Sequence, residues 1–315
     1  MLGTNFLIMN KKLIYLLMIM LGICIISCKK NTPFVKDNKI VPENVSIILE
    51  SIKKSSVKYQ NESKDKPNWK KILKIAGKDI TGALSGAGTG AAVGGLIGAG
   101  IVGVGAGAGV ITGAAYGALA GGIGSSLYEG GTKSAPPSST NYSFNINIGN
   151  AYENLAIEHI YILNLGLSNK DLFFIFDSIN NVYVLQNGTF INYLIDREVT
   201  LGLITEDYTE CFNSSALESL NSSLDNFFPF DSDFFFKFPI YSNYLQSSGV
   251  ISENVKLVLN SYFANMEVLS SLESVISYSE SVEIAIINSN LSDIDKCLLL
   301  TTMALTRHDI TYWFI

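Results

Sequence analysis

Between Ile80 and Tyr128 the chain runs for 49 residues without a charge or a proline. Glycine falls there on two registers of strict four-residue spacing: Gly82, Gly86, Gly90, Gly94 and Gly98, then Gly105, Gly109, Gly113, Gly117 and Gly121. Residues four apart share one face of a helix, so each register draws a smooth stripe down one helix. Glycine costs about 1 kcal/mol relative to alanine in a helix interior, so ten of them cost about 10 kcal/mol. Such helices form only where something offsets that. Stripes of small residues let two helix backbones approach closely, and in lipid every backbone group must be satisfied internally. The register slips between Gly98 and Gly105, which places a turn near Ala99 to Val104. The expectation is a glycine-zipper hairpin with arms Ile80 to Ala99 and Gly105 to Leu127. The first arm has 20 residues, which is about 30 Å as a helix and matches a hydrocarbon core. Leu84, Leu96, Ile97, Ile111 and Leu119 argue against a flexible linker, because flexible linkers are polar. Gly86-Ala87-Gly88-Thr89-Gly90 lacks the Lys-Ser/Thr pair of a phosphate loop.

The N-terminus reads as a secretion signal. Lys11 and Lys12 precede an apolar run of 14 residues, Leu13 to Ile26, shorter than the ~20 residues of a spanning helix. The run ends Ile25-Ile26-Ser27-Cys28, which resembles the bacterial lipobox. That resemblance implies cleavage before Cys28, with Cys28 carrying diacylglycerol and a further acyl chain such as palmitate. It also implies an envelope address. Lys29 stands where inner-membrane lipoproteins carry aspartate, so the expectation is the outer membrane, facing the periplasm. Several acyl chains anchor firmly where one holds weakly.

Charge is uneven. From Cys28 to Lys78 there are 13 lysines and 5 acidic residues, whereas from Ser134 to Ile315 there are 6 basic and 21 acidic residues. Residues 28–68 read as a basic, disordered tether. Within 69–129, Trp69 with Lys70, Lys71 and Lys74 suits a membrane interface ahead of the hairpin. Residues 130–143 read as a linker. With two histidines and two arginines in the chain, a multi-His metal centre is excluded and nucleic acid is not an expected partner.

Residues 144–315 show mostly helical apolar spacing and are expected to form an all-α bundle of about six helices. The candidates are Tyr152 to Leu167, a helix capped by Ser168 that carries Phe173, Phe174, Phe176 and Ile179, Ser215 to Phe228, Val255 to Phe263, Asn265 to Ile287, and Asp293 to Trp313. Glu267, Glu273, Glu280 and Glu283 are assigned to a wet face. Ser252 starts the fourth candidate, and Ser292 with Asp295 resembles a capping box. Val182 to Leu185 reads as a short strand. Cys211 and Cys297 could form a disulfide in an oxidising periplasm or stay as buried thiols. Glu158-His159 and His308-Asp309 are the places where an imidazole meets a carboxylate in sequence. Adjacent residues do not face each other on a helix, so neither is a dyad by itself, and structural or surface roles are expected for both histidines. No catalytic residue, metal ligand or cofactor motif is assigned.

The repeated spacing from Gly82 to Gly121 resembles the two-helix glycine-zipper segments of bacterial envelope lipoproteins. It also resembles the glycine zippers of some bacteriocins and contact-dependent toxins. The order of tether, Trp-Lys stretch, zipper and helical tail ending at Tyr312-Trp313 is similar to uncharacterised Gram-negative lipoproteins. The resulting expectation is a mainly α, non-enzymatic, lipid-anchored envelope protein. Its hairpin would insert in a lipid bilayer or self-associate, and its acidic domain would bind a protein partner. The alternative is an effector that permeabilises a target membrane.

Overall fold

The computed structural model describes residues 42–60, 69–100, 105–133, 149–201, 204, 213–228 and 233–314. The expected signal segment, Cys28, Cys211 and residues 101–104 of the turn expected near Ala99 to Val104 lie outside them; Ala99 itself is still helical. All the described residues belong to one compact unit, Val41–Ile315. It holds ten α-helices and one two-stranded sheet among the described residues, so the fold is mainly α.

The two glycine registers form α2 (Trp69–Gly100) and α3 (Gly105–Lys133), which pack along each other as an antiparallel pair. The stripes face one another. A methyl built on Gly86 would land on the carbonyl oxygen of Gly117, and one on Gly90 would land on that of Gly113. One on Gly94 would come within 2.8 Å of Gly113 Cα. Gly82 meets Gly121 and Gly94 meets Gly109 in the same way. No residue with a side chain fits along this seam, which is why the spacing is strict. α2 also absorbs the Trp-Lys stretch without a break, so it is one helix of 32 residues, about 48 Å long. The backbones of Trp69, Lys70, Lys71 and Lys74 lie in its first turns; their side chains lie outside the described residues.

The hairpin is the centre of the unit. α10 (Asp293–Phe314) lies along α2 and α3, α4 (Glu153–Ser168) along α3, and α6 (Ser214–Phe227) against both arms. α7 (Phe234–Ser247) covers α2, and α5 (Asn187–Thr200) and β2 (Val182–Leu185) cover α3. α8 (Glu253–Met266) and α9 (Leu272–Ile287) form the outer layer on α10. The described residues of 69–129 and 144–315, separated in the sequence reading, therefore belong to one folded body. The reason is that the outward faces of the hairpin are also cut to fit side chains. A methyl on Gly124 would strike Leu217 at 2.5 Å, and one on Gly77 would strike Phe234 at 2.6 Å.

Other expectations are corrected. The tether contains a helix, α1 (Glu43–Tyr59), which buries Val45, Ile48, Ile52, Ser55 and Ser56 against α8 and α9. Its spacing of three and four residues is that of an amphipathic helix. The predicted helix after Ser168 is instead a 3-10 turn (Lys170–Leu172) and a strand, β1 (Phe174–Asp177), paired antiparallel with β2. Aromatic runs suit a pleated surface. The turn is closed by the Asp177 carboxylate, which accepts from Ile179 N at 2.9 Å. The stretch from Asn265 to Ile287 breaks into α8 and α9, because Ser271 caps the second by accepting from Ser274 N at 3.1 Å. Glu283 lies in the core rather than on a wet face. α7 opens on Phe234, Phe235 and Phe236, and its Phe234 and Phe238 pack on Phe263.

Candidate functional site

α2 enters the hairpin with two ionisable residues, Lys78 and Asp79, just before its charge-free run. Both are buried. Lys78 Nζ donates to Asp225 of α6 at 2.5 Å. Asp79 meets residues from two other helices. His159 of α4 places Nε2 2.9 Å from Asp79 Oδ2 and 3.2 Å from Asp309 Oδ1 of α10. All three side chains are 0% exposed. The three ligand atoms of Asp79, His159 and Asp309 lie within 4.8 Å of one another. Asp79 Oδ1, His159 Nδ1 and Asp309 Oδ2 have no hydrogen-bond partner. Buried groups of this kind are costly unless paired.

A second charged group adjoins the first along α10. Arg307 forks to Glu153 of α4, at 3.1 and 2.7 Å, and to Glu283 of α9, both bonds at 3.1 Å. Glu283 also accepts from Asn150 Nδ2 at 2.7 Å. His308 Nε2 stands 2.6 Å from Glu153 Oε1. Bidentate guanidinium–carboxylate bonds are among the strongest polar contacts, and here one arginine ties three elements together.

The environment sets the protonation. Burial opposes charge on His159, but Asp79 and Asp309 outweigh it and raise its pKa well above the usual histidine range. Burial and the neighbouring Asp79 raise Asp309, against the pull of His159. Burial would also raise Glu153, yet the bonds from His308 and Arg307 hold it at about 2. Burial raises Glu283 and lowers His308. Both shifts favour the protonated forms of His159 and Asp309, and a proton on His159 Nδ1 still has no partner.

The sequence reading assigned neither histidine a partner. Both are buried, and each meets carboxylates that lie at least 80 residues away or on another helix. One signal was visible: Arg307-His308-Asp309 interrupts an apolar helix that carries no other charge between Leu298 and Trp313. The cluster has no side chain placed as a nucleophile. A surface cavity of about 540 Å³, lined by Tyr128, Tyr183, Leu185, Glu218 and Asn221 among others, includes neither histidine.

Of the residues singled out in sequence, Gly82, Gly86, Gly90 and Gly94 meet Gly109, Gly113, Gly117 and Gly121. Gly98 and Gly105 lie in α2 and α3, towards the turn. Cys297 is a buried free thiol on α10, and its suggested partner Cys211 lies outside the described residues. Burial grades along the hairpin. The base, from Ala76 to Gly88 and from Gly113 to Leu127, is buried at almost every position. Towards the turn, Thr89, Ala92 and Ala108 are exposed, and Val93, Gly95, Val110 and Ile111 are half-buried. Ala108–Tyr128 is long and apolar enough to cross a membrane, and 78% of its window is buried inside the protein. Comparison with known proteins finds no family model, curated protein or solved structure that matches this chain.

Proposed function

We infer that this is a non-enzymatic, lipid-anchored envelope protein that grips a membrane with the tip of a caged glycine-zipper hairpin. The supporting observation is the gradient of burial along the hairpin. At the base, Lys78 pairs with Asp225 of α6 and Asp79 with His159 of α4, which in turn faces Asp309 of α10, and polar bonds such as Ser125 Oγ to Asn221 Oδ1, 3.0 Å, add to the hold. From Thr89 to Gly95 and from Ala108 to Ile111 most side chains off the seam are exposed or half-buried, and the sequence stays free of charge. Thr89 to Gly100 is about 18 Å of helix, close to one leaflet of the hydrocarbon core. The tip can therefore enter a leaflet while the base stays clamped. The lipobox-like Cys28 supplies the second anchor that stable membrane attachment needs. The stripes are occupied by each other, so self-association through them requires the hairpin to open.

The effector reading requires full release of the hairpin, and one experiment separates the two. Ser125→Cys with Asn221→Cys crosslinks hairpin to cage, and a fluorophore on Ala92→Cys, attached after the crosslink forms, reports lipid contact. Tip gripping predicts that lipid-borne quenchers reach the probe equally with the crosslink closed or reduced, without dye leakage from vesicles. Quenching and leakage that appear only after reduction favour the effector. A probe that is never quenched overturns both readings.

A further inference from the structure

We propose that Asp79, His159 and Asp309 form a structural site for one divalent first-row cation of the Zn²⁺ class, tying the hairpin to its cage. The geometry supplies the first argument. His159 Nε2 is 2.9 Å from Asp79 Oδ2 and 3.2 Å from Asp309 Oδ1. Ligands at about 2.0–2.2 Å around a tetrahedral zinc stand roughly 3.3–3.6 Å apart, a few tenths of an ångström beyond these two separations, and the two carboxylates lie within 4.8 Å of each other.

The second argument is the orphaned atoms. Asp79 Oδ1 and Asp309 Oδ2 are buried with no hydrogen-bond partner, and a bidentate carboxylate can complete fourfold coordination. His159 Nδ1 is orphaned as well, leaving Nε2 as the nitrogen aimed at the carboxylates. The third argument is charge. In the ligating form, with His159 neutral and both carboxylates ionised, the three groups sum to −2, which one divalent ion cancels in place of the displaced protons. The neighbouring cations are engaged elsewhere, Arg307 with Glu153 and Glu283, and Lys78 with Asp225. Finally, the wall is cut to leave room. A methyl on Gly122, which lies outside both stripe registers, would come within 2.9 Å of Asp79 Oδ1 and of His159 Cε1.

The donor set selects the ion. Imidazole with carboxylate suits first-row transition ions, and among them Zn²⁺ binds more tightly than Mn²⁺ or Fe²⁺. Calcium takes six to eight oxygens, and magnesium keeps several waters; a wholly buried site with four carboxylate oxygens offers neither. The ligands come from three helices and close only when the hairpin docks, so the ion enters during folding and its binding adds to folding stability.

The inference is independent of the membrane reading, and its test uses no lipid. The mature full-length protein is unfolded in denaturant with EDTA and refolded with no metal, Zn²⁺, Co²⁺, Mn²⁺, Ca²⁺ or Mg²⁺, then desalted. Metal content and melting temperature are measured. The expected result is one Zn²⁺ retained per chain, a raised melting temperature, and the visible absorption of tetrahedral cobalt without a thiolate charge-transfer band. Asp79→Asn and Asp309→Asn should each lower Zn²⁺ retention at least roughly tenfold; the cobalt spectrum of the unaltered protein keeps the test valid if a variant fails to fold. Only trace Zn²⁺ after refolding, with the same melting temperature as in EDTA, would mean that protons fill the cluster and would overturn the proposal. So would a cobalt–thiolate band, or retention that neither substitution changes.

Discussion

The hairpin and the helices around it solve the packing problem in opposite ways. Along the seam of α2 and α3 the contact is backbone on backbone, with Gly86 against Gly117 and Gly90 against Gly113, and any added atom is too many. In α7, α8 and α9 the contact is side chain on side chain. Phe238 and Phe263 lie with ring centroids 4.5 Å apart, and Tyr262 stacks on Tyr278 at 5.3 Å, so any removed atom leaves a void. A glycine seam has no side-chain area to bury on its inner face. Beyond the close backbone contact along the seam, its stability comes from the fit of its outer faces to the cage and from the ion pairs at its base. That is why a sequence which looks ready for lipid sits inside a protein.

The contrast fails first if truncation does not hurt the cage. Phe238→Ala should lower unfolding stability by about 3–5 kcal/mol, read by denaturant titration; a loss below about 1 kcal/mol would mean the aromatic layer is not packed as described. On the hairpin the opposite change is the damaging one. Gly90→Ala gains about 1 kcal/mol of helix propensity but sets a methyl on the Gly113 carbonyl. The net outcome should be a loss of about 2–3 kcal/mol, in the range of overpacked cores.

A third test uses a charge that the cage holds at a cost. Glu198 on α5 is 1% exposed. Burial, with Glu158 beside it and only partly offset by Arg197, raises its pKa to about 7. A raised carboxyl pKa means that the folded state binds the proton more tightly. The contribution is therefore intact below the unfolded value of 4.5 and is lost as pH rises towards 7. Glu198→Gln should add about 2 kcal/mol at pH 8 and almost nothing at pH 4. An equal effect at both pH values would remove the electrostatic explanation. The smallest effect has the opposite sign to the seam. Gly188 in α5 has nothing within 4 Å of a built methyl, so Gly188→Ala should stabilise by about 0.5 kcal/mol.

Much of this was legible beforehand. The paired registers foretold two helices with smooth faces, and the caps at Ser252 and Ser292 are made as expected, to Val255 N at 3.1 Å and Asp295 N at 3.2 Å. α1 is hidden in the sequence because the lysines around it obscure a short three-and-four spacing of Val45, Ile48 and Ile52. The helix assigned to 168–179 failed because a short aromatic run does not distinguish strand from helix by period. The buried cluster was hidden for another reason. His159 finds its partners on α2 and α10, 80 and 150 residues away in sequence, and side-by-side reading of Glu158-His159 looks in the wrong place. Arg197, not His159, takes the Glu158 carboxylate. The depth of the hairpin inside the bundle was likewise unreadable, because a glycine helix suited to lipid and one suited to a protein interior share a composition.

The central claim is that the hairpin is caged at its base and open towards its tip, and amide hydrogen exchange on the intact protein tests it most directly. Without lipid, amides from Ala83 to Gly88 and from Gly113 to Leu127 should exchange only through global unfolding, while those near Ala92 and Ala108 exchange faster and slow down when vesicles are added. Uniformly fast exchange along both arms, in the absence of lipid, would contradict the account.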